Sequence, residues 1–446
     1  MCGLNFCTID PETYIPLMNE KISYRGIRSN WYVYDDLGFG HVRLPIQGVD
    51  EKYDQPFEYK NWIILYVGEI FNYKKIDPTA NSDIEVLAKS WDLYGEGCFH
   101  LFDGFWSVVV YDKQTGETHV FTDFLAKKPL YIHKYTSSVS SEIKSLCPFN
   151  GYKYWQDEYY FSCVNKWGYC LNEHTFISSV RKIPPCTHLV IKNMKVVSEK
   201  RYMGISPRKI HLREKIETAV YNRLVSDIPI SLVCSGGLDS SIIYKLVEKK
   251  THDFTIFHID NKEGEYLNYL KIPGDINVVM LSLDQFDLNE VLYYNEGPVD
   301  LGSVFPQYEM ASAIAGTGLS VALSGDGADE LFGGYTRISD YDSQWSDVFE
   351  ELVYYHLPRL DKLMMAKTIE LRCPYLSEPV IAGALSLPYK DRMKKKILKE
   401  MFSDILPKQI IERDKVALKS KMVLEGGLEW RYYLVNKFRA EVFNEY

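Results

Sequence analysis

A glycine-rich turn between a buried strand and a helix constrains the fold of this chain more than any other feature. The turn is Ser235–Ser241, with the sequence SGGLDSS. It follows the apolar run Ile228–Cys234 and precedes a helix-like stretch, Ile242–Val247. Adjacent glycines let backbone N–H groups approach an anion closely, and a helix N-terminus adds partial positive charge. The pattern therefore predicts an α/β unit that binds phosphate, and an ordinary tight turn with a serine cap is the simpler alternative.

The polar side chains of the turn favour the phosphate interpretation. The hydroxyls of Ser235, Ser240 and Ser241 can donate further hydrogen bonds. A carboxylate beside phosphates repels them unless a cation lies between, so Asp239 argues for Mg²⁺. The spacing of a Walker A loop is not present in the sequence. The segment resembles the pyrophosphate-binding loop of ATP pyrophosphatases, which implies cleavage of ATP between its α and β phosphates to adenylylate a substrate.

Length and composition exclude several other classes of protein. A chain of 446 residues exceeds one core, so two or three domains are expected. The net charge is −9 and the basic run Lys394–Lys396 stands alone, so we expect no nucleic-acid partner. No apolar stretch approaches the roughly 20 residues that span a bilayer, and the N-terminus lacks the pattern of a signal peptide. The nine cysteines are scattered without a Cys-x-x-Cys pair, which favours the reducing cytoplasm.

The two halves of the chain have different patterns. In the first half, Asn61–Val67 and Trp106–Tyr111 predict buried strands, and Glu117–Thr122 predicts a half-exposed strand. A helix is predicted from about Ser82 to Tyr94, with Asp83 capping its first turn. Stacked sheets with flanking helices are the architecture that this pattern indicates.

The second half alternates predicted strands with helix-like segments. This alternation is typical of a parallel, doubly wound sheet, and the last hundred residues look mostly helical. The seam between the halves is predicted near Lys200–Arg208. The predicted strands are Ile230–Cys234, Asp253–Ile259, Val278–Leu283 and Ser320–Leu323.

Short motifs, in a fixed order, resemble those of a two-domain enzyme family. The first half resembles class II glutamine amidotransferases of the N-terminal nucleophile type, in Cys2-Gly3, Arg25-Gly26, Gly40–Leu44, Gly68–Asn72, Ser82-Asp83, Pro129–Tyr131 and Ser141–Lys144. The second half resembles glutamine-dependent asparagine synthetases, in Ser324–Tyr335 and Glu370–Leu376. The resemblance implies an α+β stacked-sheet sandwich in residues 1–200. It implies an α/β parallel-sheet ATP pyrophosphatase domain with a helical C-terminal part in residues 208–446.

The resemblance implies a glutaminase site in the first domain. Cys2 is the nucleophile once the initiator methionine is removed, and its own α-amine, with a pKa near neutrality, is the base. Arg43 is implied to hold the α-carboxylate of glutamine, and Asp83 with Glu69 its α-amine. The Gly68 N–H is implied to face the oxyanion. Without the resemblance, Cys2 is an incidental cysteine, and Arg43 and Asp83 are ordinary surface ion-pair residues.

One position departs from the family pattern. The family usually carries Asn before the Gly-Glu pair, where this chain has Val67. A valine cannot donate to an oxyanion, and loss of one such donor typically costs about 10²–10³ in rate. We therefore expect weakened glutaminase activity, with free ammonia as a competent nitrogen source, or a substitute donor elsewhere.

The resemblance also implies the residues of the ATP site. Mg²⁺ is expected between Asp239 and Asp329. Asp326 is implied to act at the acyl-adenylate, and Lys395 to contact the leaving phosphates, although a solvated basic helix face is the simpler reading of Lys394–Lys396. Pyrophosphate is expected on Ser235, Gly236, Gly237, Asp239 and Ser240. The adenine pocket is expected at Cys234, Ile259, Ser324 and Gly325. Glu370 and Arg372 are interpreted as a structural ion pair.

The implied reaction is the ATP-dependent amidation of aspartate with ammonia from glutamine. An apolar channel should join the two sites, since free ammonia is mostly protonated at neutral pH. Three alternatives stay open: a ring-closing synthetase or amidotransferase acting on another carboxylate, an ammonia-dependent enzyme, and a non-catalytic nitrogen sensor. The region Glu296–Pro306, one residue longer than the family form, is predicted to set the choice of acid, so aspartate depends on the resemblance. A homodimer is also left open.

Overall fold

The computed structural model describes residues 2–152, 154–259, 264–273, 276–279, 287–298, 302–335, 347–413 and 421–443. Its first half contains two six-stranded antiparallel sheets, in the orders β10-β8-β9-β1-β3-β2 and β12-β11-β7-β6-β5-β4. The strands are β1 Gly3–Cys7, β2 Arg28–Tyr34, β3 Leu37–Arg43, β4 Phe57–Tyr59, β5 Trp62–Ile70, β6 Gly104–Asp112, β7 Glu117–Thr122, β8 Tyr131–His133, β9 Val139–Ser140, β10 Val180–Lys182, β11 Thr187–Lys192 and β12 Lys195–Arg201.

An apolar core between these sheets explains their stacking. Its members alternate along the strands, so that Leu4 and Phe6 of one sheet meet Ile63, Leu65 and Val67 of the other. Helices cover the outer faces. They are α1 Pro11–Lys21, α2 Tyr73–Ile76, α3 Asp83–Tyr94 and α4 Glu158–Trp167.

The expectations for the first half are confirmed with two corrections. The predicted runs lie in β5, β6 and β7, but β7 is mostly buried because His188 of β11 stacks on Phe121, with ring centres 4.1 Å apart. Helix α3 forms where predicted, but Asp83 does not cap it. Its carboxylate instead accepts hydrogen bonds from the Tyr66 hydroxyl at 2.9 Å and the Ile70 N–H at 3.1 Å.

The second half contains a five-stranded parallel sheet in the order β15-β14-β13-β16-β17. Its strands are β13 Ser231–Val233, β14 Thr255–Ile259, β15 Asn277–Val279, β16 Val321–Leu323 and β17 Glu370–Arg372. The doubly wound sheet is confirmed. Residues 280–283 of the predicted third strand lie outside the described residues. The last strand, β17, was not predicted, because a three-residue segment with two charges has no strand-like pattern.

Helices flank this sheet and form the C-terminal part, as expected. A π-helical turn, Leu352–His356, leads directly into the helix that begins at Leu357. The helices are α5 Leu212–Asn222, α6 Leu238–Glu248, α7 Glu265–Leu270, α8 Leu288–Asn295, α9 Val304–Gly316, α10 Ala328–Leu331, α11 Leu357–Met365, α12 Glu378–Leu385, α13 Tyr389–Arg392, α14 Lys396–Met401, α15 Lys408–Glu412 and α16 Lys421–Lys437. Within the described residues, none of them has the length and apolar character needed to cross a membrane.

Buried ion pairs join the two halves. Arg25 donates to Glu142 of the first half at 2.6 Å and to Asp361 of α11 at 2.8 Å. Lys128 also donates to Asp361, at 2.6 Å. All of these side chains are almost inaccessible to water, so the charges depend on one another for compensation. The halves are therefore tightly docked where the first sheet meets α11.

Candidate active sites

Cys2 lies immediately before β1, beside the end of β3. Its side chain is buried and its sulfur is 3.9 Å from the Leu44 carbonyl oxygen. Burial raises the pKa of the Cys2 thiol, so the resting site does not favour a thiolate. The Arg25 Nε donates to the Cys2 carbonyl at 3.1 Å, which fixes the backbone of the nucleophile candidate.

Arg43 is the last residue of β3, and its guanidinium is buried. It donates to Asp54 Oδ1 at 2.6 Å and to the carbonyl of Asp50 at 3.1 Å. It also donates to the carbonyl oxygens of Gln47 and Gly48. The Arg43 guanidinium, which was predicted to bind the α-carboxylate of glutamine, thus donates its hydrogen bonds to acceptors within the protein. A glutamine carboxylate would have to exchange with Asp54.

Three buried carboxylates, those of Glu69, Asp83 and Glu370, lie close enough to act on one another. Burial raises the pKa of Asp83 to about 6 and holds the pKa of Glu69 well above its usual range. The charge of Glu370 reinforces both shifts. The third carboxylate is that of Glu370, in β17 of the second half. Arg372 pairs with Glu370 at 2.6 Å and also lies 3.9 Å from Glu69. The two charged residues interpreted as a structural ion pair therefore reach the glutaminase candidate site.

Position 67 presents no donor to this site. The Val67 side chain is buried in the same apolar cluster as Cys2 and Phe105. The neighbouring Gly68 is tightly enclosed, because a Cβ there would lie 2.1 Å from the Phe105 carbonyl oxygen. Only glycine fits this close approach of β5 to β6.

The second group of predicted residues surrounds the carboxyl ends of β13 and β16. These adjacent strands have connections that leave the sheet in opposite directions, which is where doubly wound sheets bind ligands. Gly236 has a φ of +73°, a conformation that favours glycine. The Ser235 N–H donates to Ser240 Oγ at 3.1 Å, and the Gly237 N–H donates to Ser235 Oγ at 3.2 Å. The loop is therefore held ready at the start of α6.

Lys395 is the centre of the charged group beside the loop. Its ammonium contacts Asp239 Oδ2 and lies 2.5 Å from Asp329 Oδ1. The lysine side chain is 9% exposed, so it is not part of a solvated basic helix face. Flanking carboxylates raise the pKa of Lys395 against the opposing effect of burial. Two carboxylates that converge on one point also form a donor set that suits Mg²⁺.

The remaining predicted residues lie at the ends of neighbouring strands. The Ser324 hydroxyl donates to Asp326 Oδ2 at 2.6 Å. A Cβ on Gly325 would be 3.1 Å from Asp239 Cβ, so the two loops nearly touch. The Cys234 carbonyl accepts from His258 Nδ1 at 3.0 Å, and Ile259 ends β14.

Two family models match this chain. A glutamine amidotransferase domain matches residues 1–203, and asparagine synthase matches residues 211–352 and 341–437. The chain belongs to the asparagine synthase family.

Curated relatives of the family match most of the chain. Asparagine synthetase (glutamine-hydrolysing) 1 of Bacillus subtilis is 24% identical over 98% of this chain and 78% of its own length. The protein of the same name in Arabidopsis thaliana is 25% identical, over 89% and 73%. Asparagine synthetase (glutamine-hydrolysing) of Sandersonia aurantiaca is 26% identical, over 89% and 81%. These similarities place both halves within one family.

The geometry adds three residues to the candidate site around the loop that were not assigned from the sequence. Arg413 donates to the Gly236 carbonyl at 2.7 Å, and the Tyr375 hydroxyl donates to the Asp239 carbonyl at 3.1 Å. Burial raises the pKa of Glu330 to about 7, and the charge of Asp329 adds to this shift. Tyr375 lies within the family-like motif Glu370–Leu376, and Glu330 lies within Ser324–Tyr335, so the sequence offered a signal for both. No pattern around Arg413 indicates its contact, since it follows the loop by 177 residues.

Proposed function

We propose that this chain synthesises asparagine from aspartate, with ATP as the source of activation and glutamine as the source of ammonia. The products are asparagine, AMP, pyrophosphate and glutamate. One observation supports this most directly: in a member of the asparagine synthase family, Lys395 and two carboxylates stand beside a preformed anion loop at the switch point of a parallel sheet. That arrangement suits cleavage of a nucleotide next to a bound carboxylic acid.

The first half, residues 1–200, is assigned the glutaminase step. Removal of Met1 exposes the α-amine of Cys2, which takes the thiol proton as the sulfur attacks the glutamine amide. This base is needed because burial raises the pKa of the thiol. The amide nitrogen leaves as ammonia, and water then releases glutamate. The Gly68 N–H is the donor assigned to the oxyanion, and Arg43 binds the α-carboxylate after its exchange with Asp54.

The second half, residues 208–446, is assigned the adenylylation step. The β-carboxylate of aspartate attacks the α-phosphorus of ATP, and pyrophosphate leaves against the loop Ser235–Ser240 and Lys395. Asp239 and Asp329 are the residues that would hold Mg²⁺, which supplies positive charge to the phosphates when it is bound. Ammonia then attacks the acyl carbon of the β-aspartyl-adenylate, AMP leaves, and Asp326 is assigned to this step.

The same proposal extends to the cellular compartment, the partners and the path of ammonia. The chain works in the cytoplasm, with small molecules rather than nucleic acid or membrane as its partners. An apolar path carries ammonia from Cys2 toward the acyl-adenylate. Assembly as a homodimer is left to measurement. Residues 299–301 of the region predicted to select the acid lie outside the described residues, so the choice of aspartate depends on family membership.

A second function is favoured by one observation, the buried valine at position 67. If the glutaminase step is slow, the chain is an ammonia-dependent asparagine synthetase in practice. The two cases differ in their nitrogen source, and initial rates with glutamine and with ammonium chloride separate them.

Aspartate-dependent exchange of labelled pyrophosphate into ATP tests the proposed function. We expect exchange with aspartate and Mg²⁺, and a product whose mass is that of asparagine when a nitrogen source is added. Asp239→Asn should lose at least about a hundredfold in exchange. Exchange without dependence on aspartate, or an unimpaired Asp239→Asn variant, contradicts the proposal. A screen of other carboxylic acids in the same assay identifies a different substrate.

A further inference from the structure

A cavity lies between the two halves of the chain, and none of the residues assigned above to glutamine, nucleotide or metal binding lines it. Its volume is about 60 Å³. One wall comes from residues 131–182 of the first half, and the other from residues 295–296 and 354–362 of the second. A water needs about 10–15 Å³ on this scale, so the cavity admits a small organic molecule.

The lining of the cavity carries an excess of positive charge. Three cationic side chains face it, those of Lys182, Arg359 and Lys362, whereas Glu296 supplies the one carboxylate among the lining residues that the structure describes. All four side chains are more than nine-tenths buried. Two positive charges are therefore left without a counter-charge in the wall.

The carboxylate in the wall is already engaged by other groups. Glu296 accepts from Lys362 at 2.8 Å and from the backbone N–H groups of Ile143 and Lys144, at 3.0 and 2.8 Å. It also lies 3.3 Å from the Lys144 ammonium. Glu296 thus balances Lys362 and ties the halves together, but it does not neutralise the other two cations.

Arg359 and Lys182 are the two cations of the wall that no carboxylate of the described residues compensates. Arg359 donates to the Ser303 hydroxyl, and within the described residues its buried Nε has no acceptor. Lys182 donates to the Val353 carbonyl at 2.5 Å and lies 4.9 Å from the centre of the Tyr354 ring. No carboxylate of the described residues pairs with either side chain. A buried cation without an anion is expensive to maintain, so an anion bound between these two groups would stabilise both of them.

The chemistry of the wall indicates the class of ligand. The planar guanidinium of Arg359 matches a carboxylate in a two-point contact, and the Lys182 ammonium supplies a separate point charge. Tyr131, Tyr160 and Tyr169 contribute rings to the same wall as Lys182. Burial and the charge of Lys362 lower the pKa of Lys182, and an anion beside Lys182 would reverse that effect.

We propose that this cavity binds a small dicarboxylate, with its two carboxylates on Arg359 and Lys182. Such a ligand bridges the two halves, since Lys182 belongs to β10 and Arg359 to α11. Its binding strengthens the docking on which transfer of ammonia between the sites depends. Glu296, the first residue of the region predicted to select the acid, lies in the same wall.

Calorimetric titration of the full chain with succinate tests the site. Succinate carries two carboxylates and no amino group, so it mimics neither glutamine nor a complete aspartate. At constant ionic strength, we expect succinate to bind at least about tenfold more tightly than propionate, which has one carboxylate. Arg359→Gln and Lys182→Met should each weaken succinate binding by about tenfold or more, because each removes a charge-assisted contact.

Matched variants make the outcome decisive. Lys52→Met removes an exposed lysine that does not line the cavity and should leave succinate binding unchanged. Asp239→Asn should also leave it unchanged, since that residue belongs to the nucleotide site. Two independent cavity variants guard against misfolding of one, and circular dichroism checks each. Absence of succinate binding, equal binding of propionate, or unchanged binding in both cavity variants overturns the proposal.

A kinetic experiment identifies the source of the dicarboxylate. If Arg359→Gln raises the KM for aspartate in AMP release at unchanged KM for ATP, the natural ligand is the acceptor acid. If the KM for aspartate is unchanged while succinate binding is lost, the natural ligand is a separate effector. The titration needs no turnover, so a chain that binds succinate but does not amidate aspartate would refute the proposed function and leave this site intact.

Discussion

Replacement of Lys395 by methionine tests the centre of the nucleotide site. In the structure, this ammonium lies between Asp239 and Asp329, and methionine keeps the length of the side chain without its charge. Removing one partner of a fully buried ion pair costs about 3–5 kcal/mol, and of an exposed pair about 0–1 kcal/mol. The two carboxylates are 17% and 24% exposed. We therefore expect a loss of about 2–3 kcal/mol in the free energy of unfolding at neutral pH.

The same variant should change the response of the protein to magnesium. Without the lysine, the two carboxylates repel each other and become available to Mg²⁺. A ligand present at ten times its Kd stabilises the folded state by about 1.4 kcal/mol. MgCl₂ should therefore raise the thermal unfolding midpoint of Lys395→Met more than that of the unaltered chain. Pyrophosphate exchange should fall at least about a hundredfold, since the cation proposed to face the leaving phosphates is lost.

Thermal unfolding followed by circular dichroism, with and without MgCl₂, measures both effects. Lys396→Met is the matched control, because Lys396 is 58% exposed and its ion pair with Glu400 is 3.9 Å long. We expect that control to stay within about 0.5 kcal/mol of the unaltered chain. The reasoning is refuted if Lys395→Met is as stable as Lys396→Met, or if Mg²⁺ stabilises both variants equally.

Four further predictions concern three single positions, Val67, Gly334 and Asp83. Val67→Asn should raise the ratio of glutamine-dependent to ammonia-dependent synthesis by about tenfold or more, because it supplies an oxyanion donor, at some cost in stability from the amide in an apolar cluster. Gly334→Ala should abolish pyrophosphate exchange and spare glutamine hydrolysis, because its Cβ would lie 1.8 Å from Asp329 Oδ1. The KM for glutamine should rise about tenfold per unit as the pH falls below the Asp83 pKa of about 6, since the protonated carboxyl no longer attracts the α-amine. The same raised pKa should lower the free energy of unfolding as the pH rises from about 4 to 6, because the folded chain holds the proton more tightly.

A specific experimental result would contradict each of these predictions. An unchanged nitrogen preference in Val67→Asn would show that another group already serves the oxyanion. Gly318→Ala is the control for Gly334→Ala, since a Cβ at Gly318 meets no atom within 4 Å, although its φ of +81° adds backbone strain. Equal exchange in both alanine variants would remove the steric argument. Asp83→Asn should flatten the pH profile, and a profile that survives in Asp83→Asn assigns the titration to another carboxyl.

The phosphate loop illustrates what can be predicted from sequence. Strand, paired glycines and helix are local features, so the position of Ser235–Ser241 at the end of a strand follows from the order of residues alone. The motif around Asp329 is similarly local. The role of Lys395 is harder to predict from sequence, because its neighbours are Lys394 and Lys396 and a run of lysines is usually exposed to solvent.

The contacts of Arg43, Glu370 and Arg413 could not be derived from sequence. Arg43 lies near Cys2 as expected, but its guanidinium already pairs with Asp54. The sequence around Arg43 gives no indication of that partner. From sequence, Glu370 is half of a local ion pair with Arg372. In the structure, Arg372 lies 3.9 Å from Glu69, and the charge of Glu370 acts on Glu69, 301 positions earlier in the chain. Such contacts depend on the docking of one sheet system against another.

The sequence by itself determined the two sheet architectures, the order of the halves and the position of the glycine-rich turn between a strand and a helix. These follow from side-chain periodicity and from the few residue types that tolerate a tight turn at a helix start. Only the tertiary structure decided which charges share a site and which cavity cations have no counter-charge among the described residues. The physical reason is that an ion pair acts over a few ångströms in space, whatever the number of residues that separates its members.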